Sequence, residues 1–176
     1  YMGAKELLQG TRRWVLWLVD LEPADVAKSP ELRRRLEGVR QMREASPLKS
    51  TQEKAATPHL FYFNGHRDTD YLCIPRTVSG NRAYFLAGRM SADVIASDST
   101  STAADPDGFA FAVISTKAFL SWQAMVGGRM KSDLRFSKKQ TWNTFPLPAV
   151  SAEDREKMIA AGQKVLDARA LHPDRP

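Results

Sequence analysis

The sequence predicts an α+β fold, a twisted mixed or antiparallel sheet of short strands with flanking helices. Two observations carry that prediction. Short apolar runs separated by turn residues fill the middle of the chain, whereas capping residues followed by apolar positions three and four apart mark helices on either side. At 176 residues, with 43% of them hydrophobic, the chain has the size and apolar content of one ordinary domain.

The elements follow in order. Leu7 to Leu21 is apolar around Trp14, Val15, Leu16, Trp17 and Leu18 and is closed by Glu22-Pro23. It reads as a buried strand, with helix as the alternative that periodicity does not separate at this length. Ser29-Pro30-Glu31 supplies a cap, a proline at the first helical position and an early carboxylate, which predicts a helix from about 30 to 45. Leu32, Leu36, Val39 and Met42 form its apolar face. Arg33, Arg34, Arg35, Arg40 and Arg43 occupy the rest, and either a solvated or a phosphate-contacting surface suits them.

Strand-like runs then appear at Leu60–Phe63, Tyr71–Pro75, Ala83–Ala87 and Ala92–Ser97, divided by Asn64-Gly65, Ser79-Gly80-Asn81 and Gly88. Ser97 to Gly108 lacks bulky apolar side chains and reads as an exposed loop. Phe109–Ile114 resumes a strand. Ser115 can cap a helix bearing Phe119, Trp122 and Val126 that Gly127-Gly128 stops, and a last helix runs from about Ala152 to Leu171 with Ser151 as its cap. Residues 1–58 thus form an N-terminal connector with a basic helix, 59–148 a central core and 149–176 a C-terminal helix. Together they are expected to make one compact domain cut from a larger protein.

Several kinds of chemistry lack their motifs. Neither a GxGxxG nor a GxxxxGK[ST] phosphate loop occurs, no lysine follows an acid at the spacing of metal nucleases, and three histidines without cysteine or carboxylate partners suggest no metal site. Cys73 permits no internal disulfide and lies in a predicted strand, where a core residue is expected. The longest apolar stretch, Trp14 to Val19, is far short of the roughly 20 residues that span a bilayer. A binding module rather than a catalyst, soluble and cytoplasmic with no membrane partner, is the expectation.

The net charge of +6 is unevenly placed: residues 109–148 carry six basic side chains against one acid. Within them, Gly128 to Pro148 interleaves Arg129, Lys131, Arg135, Lys138 and Lys139 with the hydroxyls of Ser132, Ser137 and Thr141 and with Phe136 and Trp142. Forked or flexible cations beside hydroxyl and backbone N–H donors are what phosphate contacts require. Composition alone fits a solvated basic loop equally well.

The stretch Gly128-Arg129-Met130-Lys131-Ser132-Asp133-Leu134-Arg135-Phe136-Ser137, with Trp122 before it and Trp142-Asn143-Thr144-Phe145-Pro146-Leu147-Pro148 after it, resembles the target-recognition domain of MmeI-like (type IIL) restriction–modification DNA methyltransferases. Gly3-Ala4-Lys5-Glu6-Leu7-Leu8 with Arg13-Trp14, then Arg40, Arg43 and Ser46, Ile74-Pro75, and Val165-Leu166-Asp167-Ala168-Arg169 fit the same family in order. Met130, Leu134, Phe136 and Thr144 stand where relatives usually carry Leu, Tyr, Tyr and Asn. The cation pattern is intact.

The resemblance implies a double-stranded DNA recognition module that neither binds a cofactor nor performs catalysis itself. Its parent would be a bacterial, S-adenosylmethionine-dependent, N6-adenine methyltransferase, which in this family can also carry a nuclease, and its methyltransferase domain would be this chain's partner within the same polypeptide. Arg129, Lys131 and Arg135 are then the candidates for phosphate contacts, with Ser132 and Ser137 as hydroxyl donors, Lys138 and Lys139 adding diffuse attraction, and Arg40 and Arg43 contributing from the first basic helix. Asp133 pairing with an arginine simply to fix a turn is the competing reading. For base reading, Ser79, Asn81, Arg82 and Arg89 are the candidates, since Asn pairs bidentately with adenine and Arg with guanine. A plain hairpin turn remains the alternative there, and a protein-interaction domain packing on another subunit is the alternative for the whole chain. Trp14, Trp17, Trp122, Trp142, Phe145 and Pro146 are expected in the core.

Overall fold

A computed structural model describes residues 1–64 and 66–172. The Gly65 end of the predicted Asn64-Gly65 turn and the last four residues of the expected C-terminal segment lie outside the described residues. In chain order the elements are α1 (Ala4–Gln9), α2 (Pro23–Lys28), α3 (Pro30–Glu44), α4 (Lys49–Gln52), a 3-10 turn (Glu53–Ala56), β1 (Tyr71–Pro75), β2 (Thr77–Val78), β3 (Gly88–Met90) and β4 (Thr100–Ala104). There follow α5 (Phe109–Ile114), α6 (Lys117–Val126), β5 (Gly128–Met130), β6 (Asp133–Arg135), a π-helical turn (Lys138–Trp142) and α7 (Ala152–Ala170). Helices beside small antiparallel sheets make the chain α+β.

Two compact units result. One is Val15–Asn64, and the other joins residues 1–14 to the described residues beyond 65. The helical unit runs past the boundary expected near residue 58 because Phe61 packs on Trp17, with ring centroids 5.5 Å apart, and the Leu60 carbonyl accepts from Arg43 Nη2 at 2.8 Å. Its main helix starts as the sequence predicts, with Ser29 Oγ accepting from the Leu32 N–H at 3.2 Å and Pro30 at the first helical position.

The larger unit holds two three-stranded antiparallel sheets, in the orders β3-β1-β4 and β2-β6-β5. All five residues of β1 are buried, as the central strand of a covered sheet should be. Phe85, Phe111, Ile114 and Phe119 form the centre of the core with Leu72, Ile74 and Leu134. Phe119 meets Phe85, Trp142 and Phe145 edge-on at centroid distances of 5.4, 5.7 and 5.4 Å, so the aromatic tail after the basic segment anchors it to the core. Cys73 is fully buried in β1, and burial pushes its thiol up to about 11.

Several sequence expectations need correction. The Leu7–Leu21 run is no strand: α1 ends at Gly10, whose φ of 65° terminates the helix in a left-handed residue, and residues 11–18 join no sheet. Trp14, expected in the core, is 86% exposed, and Pro146 is exposed as well. Leu60–Phe63, Ala83–Ala87 and Ala92–Ser97 are irregular apart from a single bridge between Ala96 and Met2. The Ser97–Gly108 region, read as a loop, contains β4, whose Thr100 through Ala104 pair with Pro75 through Tyr71. Small side chains suffice there because β1 supplies the bulk.

Phe109–Ile114 is helix α5 rather than a strand. The buried Asp105 carboxylate accepts from the Ala110 and Phe111 N–H groups at 2.9 and 3.1 Å, and Asp107 accepts from Phe109 at 3.1 Å, so three free amides of the helix start are satisfied by acids upstream. Burial raises the Asp105 carboxyl above its ordinary value, whereas the Arg155 ion pair and the Phe109 N–H hold Asp107 below it. Among the described residues no helix is long and apolar enough to cross a membrane.

Candidate nucleic-acid interface

The site is built on a hairpin that the sequence reading did not anticipate. Helix α6 ends at Val126, and the extended residue that follows must be glycine, because a β-carbon at Gly127 would stand 2.0 Å from Gln123 Nε2 and 2.4 Å from the Gln123 carbonyl. Strands β5 and β6 then pair Gly128, Arg129 and Met130 with Arg135, Leu134 and Asp133, leaving Lys131 and Ser132 as a two-residue turn. Lys131 takes a φ of 57°, the left-handed region that glycine ordinarily fills. Leu134 and Phe136 are buried, and the alternating residue Arg135 faces outward. Gln123, fully buried, donates from Nε2 to the Arg135 carbonyl at 3.0 Å and fixes the hairpin on α6.

Strand β2 pairs with β6, Thr77 opposite Arg135 and Val78 opposite Leu134. Its antiparallel direction delivers the following residues, Ser79-Gly80-Asn81-Arg82, beside the tip of the hairpin. A β-carbon at Gly80 would lie 2.5 Å from the Ser132 carbonyl oxygen and 3.9 Å from Arg129 Nη1. The two segments that the sequence singled out for separate tasks therefore touch, and only glycine permits the approach.

Each candidate residue has a definite place. Arg129, Lys131, Ser132, Arg135, Lys138 and Lys139 are all exposed on the hairpin and the π-helical turn after it. Arg129 uses part of its fork at home, donating to the Ser132 and Ala124 carbonyls at 3.3 Å each, the second in the last turn of α6. Asp133 pairs with none of these cations, and among the described residues no carboxylate forms an ion pair with Arg129, Lys131, Arg135, Lys138 or Lys139. Ser137 Oγ accepts from the Gln140 N–H at 3.2 Å as the cap of the π-helical turn, which leaves its hydroxyl proton to donate elsewhere. Ser79 Oγ accepts from the Asn81 N–H at 3.4 Å, so the turn is self-supported while the Asn81 side chain is exposed and Arg82 half-buried.

Two candidates are corrected. Arg43 is buried in the helical unit and donates to the Lys54, Thr57 and Leu60 carbonyls at 2.8, 2.9 and 2.8 Å, so it closes the segment after α3 instead of meeting phosphate. Arg89 donates to the Asp105 and Pro106 carbonyls at 3.2 and 2.8 Å and pairs with Asp70 at 3.1 Å, which ties β3 to the start of α5 and leaves it no fork for a base. Arg40, in the same unit as Arg43, is exposed and pairs loosely with Glu37 at 3.9 Å. A cation that the sequence reading omitted, Arg76, is exposed immediately before β2, and its carbonyl accepts from the Phe136 N–H at 2.9 Å. Only its position after Ile74-Pro75 hints at it in the sequence.

Comparison with known proteins identifies the family and the fold. A family model described as the MmeI target recognition domain matches residues 1–149. DNA methyltransferase A of Bacillus subtilis (strain 168) is 29% identical over 170 residues, which are 96% of this chain and 19% of that protein. A solved structure of the type IIL restriction–modification enzyme MmeI in complex with DNA aligns over 99% of this chain and 23% of that one, with a TM-score of 0.91 and 31% identity. The chain thus spans about a fifth of the length of these relatives. With the family model covering most of its length, the chain belongs to the MmeI target-recognition-domain family.

Proposed function

We propose that this chain is the double-stranded DNA recognition module of a restriction–modification methyltransferase. The observation that carries the reading is the contact between Gly80 and the Ser132 carbonyl, which merges the Ser79–Arg82 turn and a hairpin of uncompensated cations into one surface. Lys131 and Arg135 would hold backbone phosphates, with the Ser132 and Ser137 hydroxyls as neutral donors and Lys138 and Lys139 as longer-range attraction. Asn81 and Arg82, projecting from the adjoining turn, would read base edges in the major groove. The parent would supply the chemistry: a methyltransferase domain in the same polypeptide, in a bacterial cytoplasm, that transfers a methyl group from S-adenosylmethionine to the N6 of adenine, with the target base turned out of the duplex.

Titrating the chain with a DNA duplex by fluorescence anisotropy at several salt concentrations tests the reading. Lys131→Ala with Arg135→Ala should weaken binding to every sequence alike and reduce the magnitude of the slope of log K against log salt by about two. Unchanged affinity and slope in that double variant would move the docking surface elsewhere.

A further inference from the structure

A second cationic feature lies where α7 passes the segment that follows the Ser79–Arg82 turn. A cleft of about 600 Å³ is lined there by Tyr84, Ser115, Lys164, Val165, Arg169 and His172. Arg169 is half-buried and held in place, with Nη1 donating to the Ala87 carbonyl at 2.6 Å and its guanidinium 5.6 Å from the Tyr84 ring centroid and 5.4 Å from that of Phe111. Its other terminal nitrogen, Nη2, is buried without any hydrogen-bond partner, and so is the hydroxyl of Ser115 on the same cleft. Buried donors are nearly always satisfied, so two unsatisfied ones on side chains that line one cleft point to a ligand that accepts hydrogen bonds once those side chains turn toward it.

The charges say which kind. Burial, with a further push from the like charge of Arg82 and a partial offset from Tyr84, lowers the affinity of Arg169 for its proton. Among the described residues no carboxylate pairs with Arg169 or Lys164, and Asp167, the nearest acid along α7, is engaged by Gln163 Nε2 at 2.8 Å. The site therefore gathers Arg82, Lys164 and Arg169 around unsatisfied donors and offers no counterion. Tyr84 and Val165 add an apolar wall of the kind a sugar ring can rest on.

We propose that this cleft binds a sugar–phosphate unit of the same DNA strand or duplex that the Ser79–Arg82 turn engages, with the exposed Lys164 ammonium and, once turned toward the cleft, Arg169 Nη2 and the Ser115 hydroxyl as donors to its phosphate. The inference rests on the DNA-recognition reading above. Continuity selects DNA over a free anion: Tyr84, which forms one wall, follows Arg82 by two residues, so the turn and the cleft are successive parts of one segment. It also gives the last helix a direct task in DNA contact.

Lys164→Gln and Ser115→Ala test it in the full chain, since Lys164 is exposed and Ser115 Oγ bonds to nothing, so neither change removes a contact of the folded protein. Lys164→Gln should reduce the salt slope by about one, which is a three- to fourfold smaller loss of affinity between about 50 and 200 mM salt. Ser115→Ala should weaken binding with the slope unchanged, and thermal melting should match wild type in both. Inorganic phosphate titrated against the Arg169 side-chain NMR signals should shift them weakly, and the duplex should shift them at far lower concentration.

If both variants bind DNA as wild type while Lys131→Ala with Arg135→Ala binds poorly, the cleft is no part of the DNA surface and the inference fails alone. A response of Arg169 to inorganic phosphate but not to duplex would likewise overturn it in favour of a free anion. Failure of wild type to bind any duplex would remove both the inference and the reading beneath it.

Discussion

Lys131 holds a turn conformation against its own backbone preference. A φ of 57° at the first of two turn residues is the geometry that favours glycine, and a β-carbon there costs roughly 1–2 kcal/mol. Lys131→Gly should therefore stabilise the chain by about 1 kcal/mol, raising its melting temperature by about 2–4 °C, while weakening DNA binding at every sequence. Thermal melting and anisotropy on the same sample check both directions. A lower melting temperature would contradict the strain, and unaltered affinity would contradict the phosphate contact. Arginines divide differently. Arg43 and Arg135 each sit in a basic stretch of the sequence, but Arg43 meets three carbonyls left open by the segment after α3, whereas the Arg135 side chain is exposed and has no ion-pair partner among the described residues. Which arginine is committed depends on where distant carbonyls fall, and no local pattern carries that information.

At the scale of elements, the helices that the sequence revealed are those whose start is written locally. Ser29 and Ser151 cap α3 and α7 with their own hydroxyls, at 3.2 and 3.0 Å, and proline or acidic residues follow at once. Helix α5 was hidden because its caps, Asp105 and Asp107, sit in a stretch that reads as loop, while Phe109–Ile114 has the composition of a strand. The β5–β6 hairpin was hidden for a related reason, since Lys-Ser is no turn signature, although the motif on it was recognised. Packing of α7 on α5 depends on Gly162, where a β-carbon would approach Ala112 Cβ at 3.0 Å and its Cα at 3.1 Å. Neither helix backbone can yield cheaply at that distance. Gly162→Leu should thus destabilise the larger unit by about 2–3 kcal/mol in denaturant unfolding, despite the better helix propensity of leucine. Wild-type stability in this variant would mean that the two helices do not pack so closely.

For the whole molecule, the decisive quantity is which positive charges are already neutralised. On α3, Arg34 and Arg35 both reach Glu31 at 2.7 Å, and together they hold its carboxyl down to about 2; Arg33 donates to the Ala27 carbonyl and Arg43 is buried. On the hairpin and the π-helical turn after it, five exposed cations form no ion pair with a carboxylate among the described residues. Two basic segments of similar composition thus differ in what they offer a polyanion, and they belong to different units. If the hairpin unit alone supplies the DNA surface, replacing Val15–Asn64 by a flexible Gly/Ser linker should preserve both affinity and salt slope, because every proposed contact except Arg40 lies outside that segment. Circular dichroism establishes that the shortened chain folds, and anisotropy over a salt series gives the slope. A folded product whose slope has dropped by about two or more would show that the cations of α3 also reach phosphate, in spite of their carboxylate partners. Retained slope would assign the electrostatic part of DNA binding to the residues outside Val15–Asn64 and leave the helical unit for contacts with the rest of the parent protein.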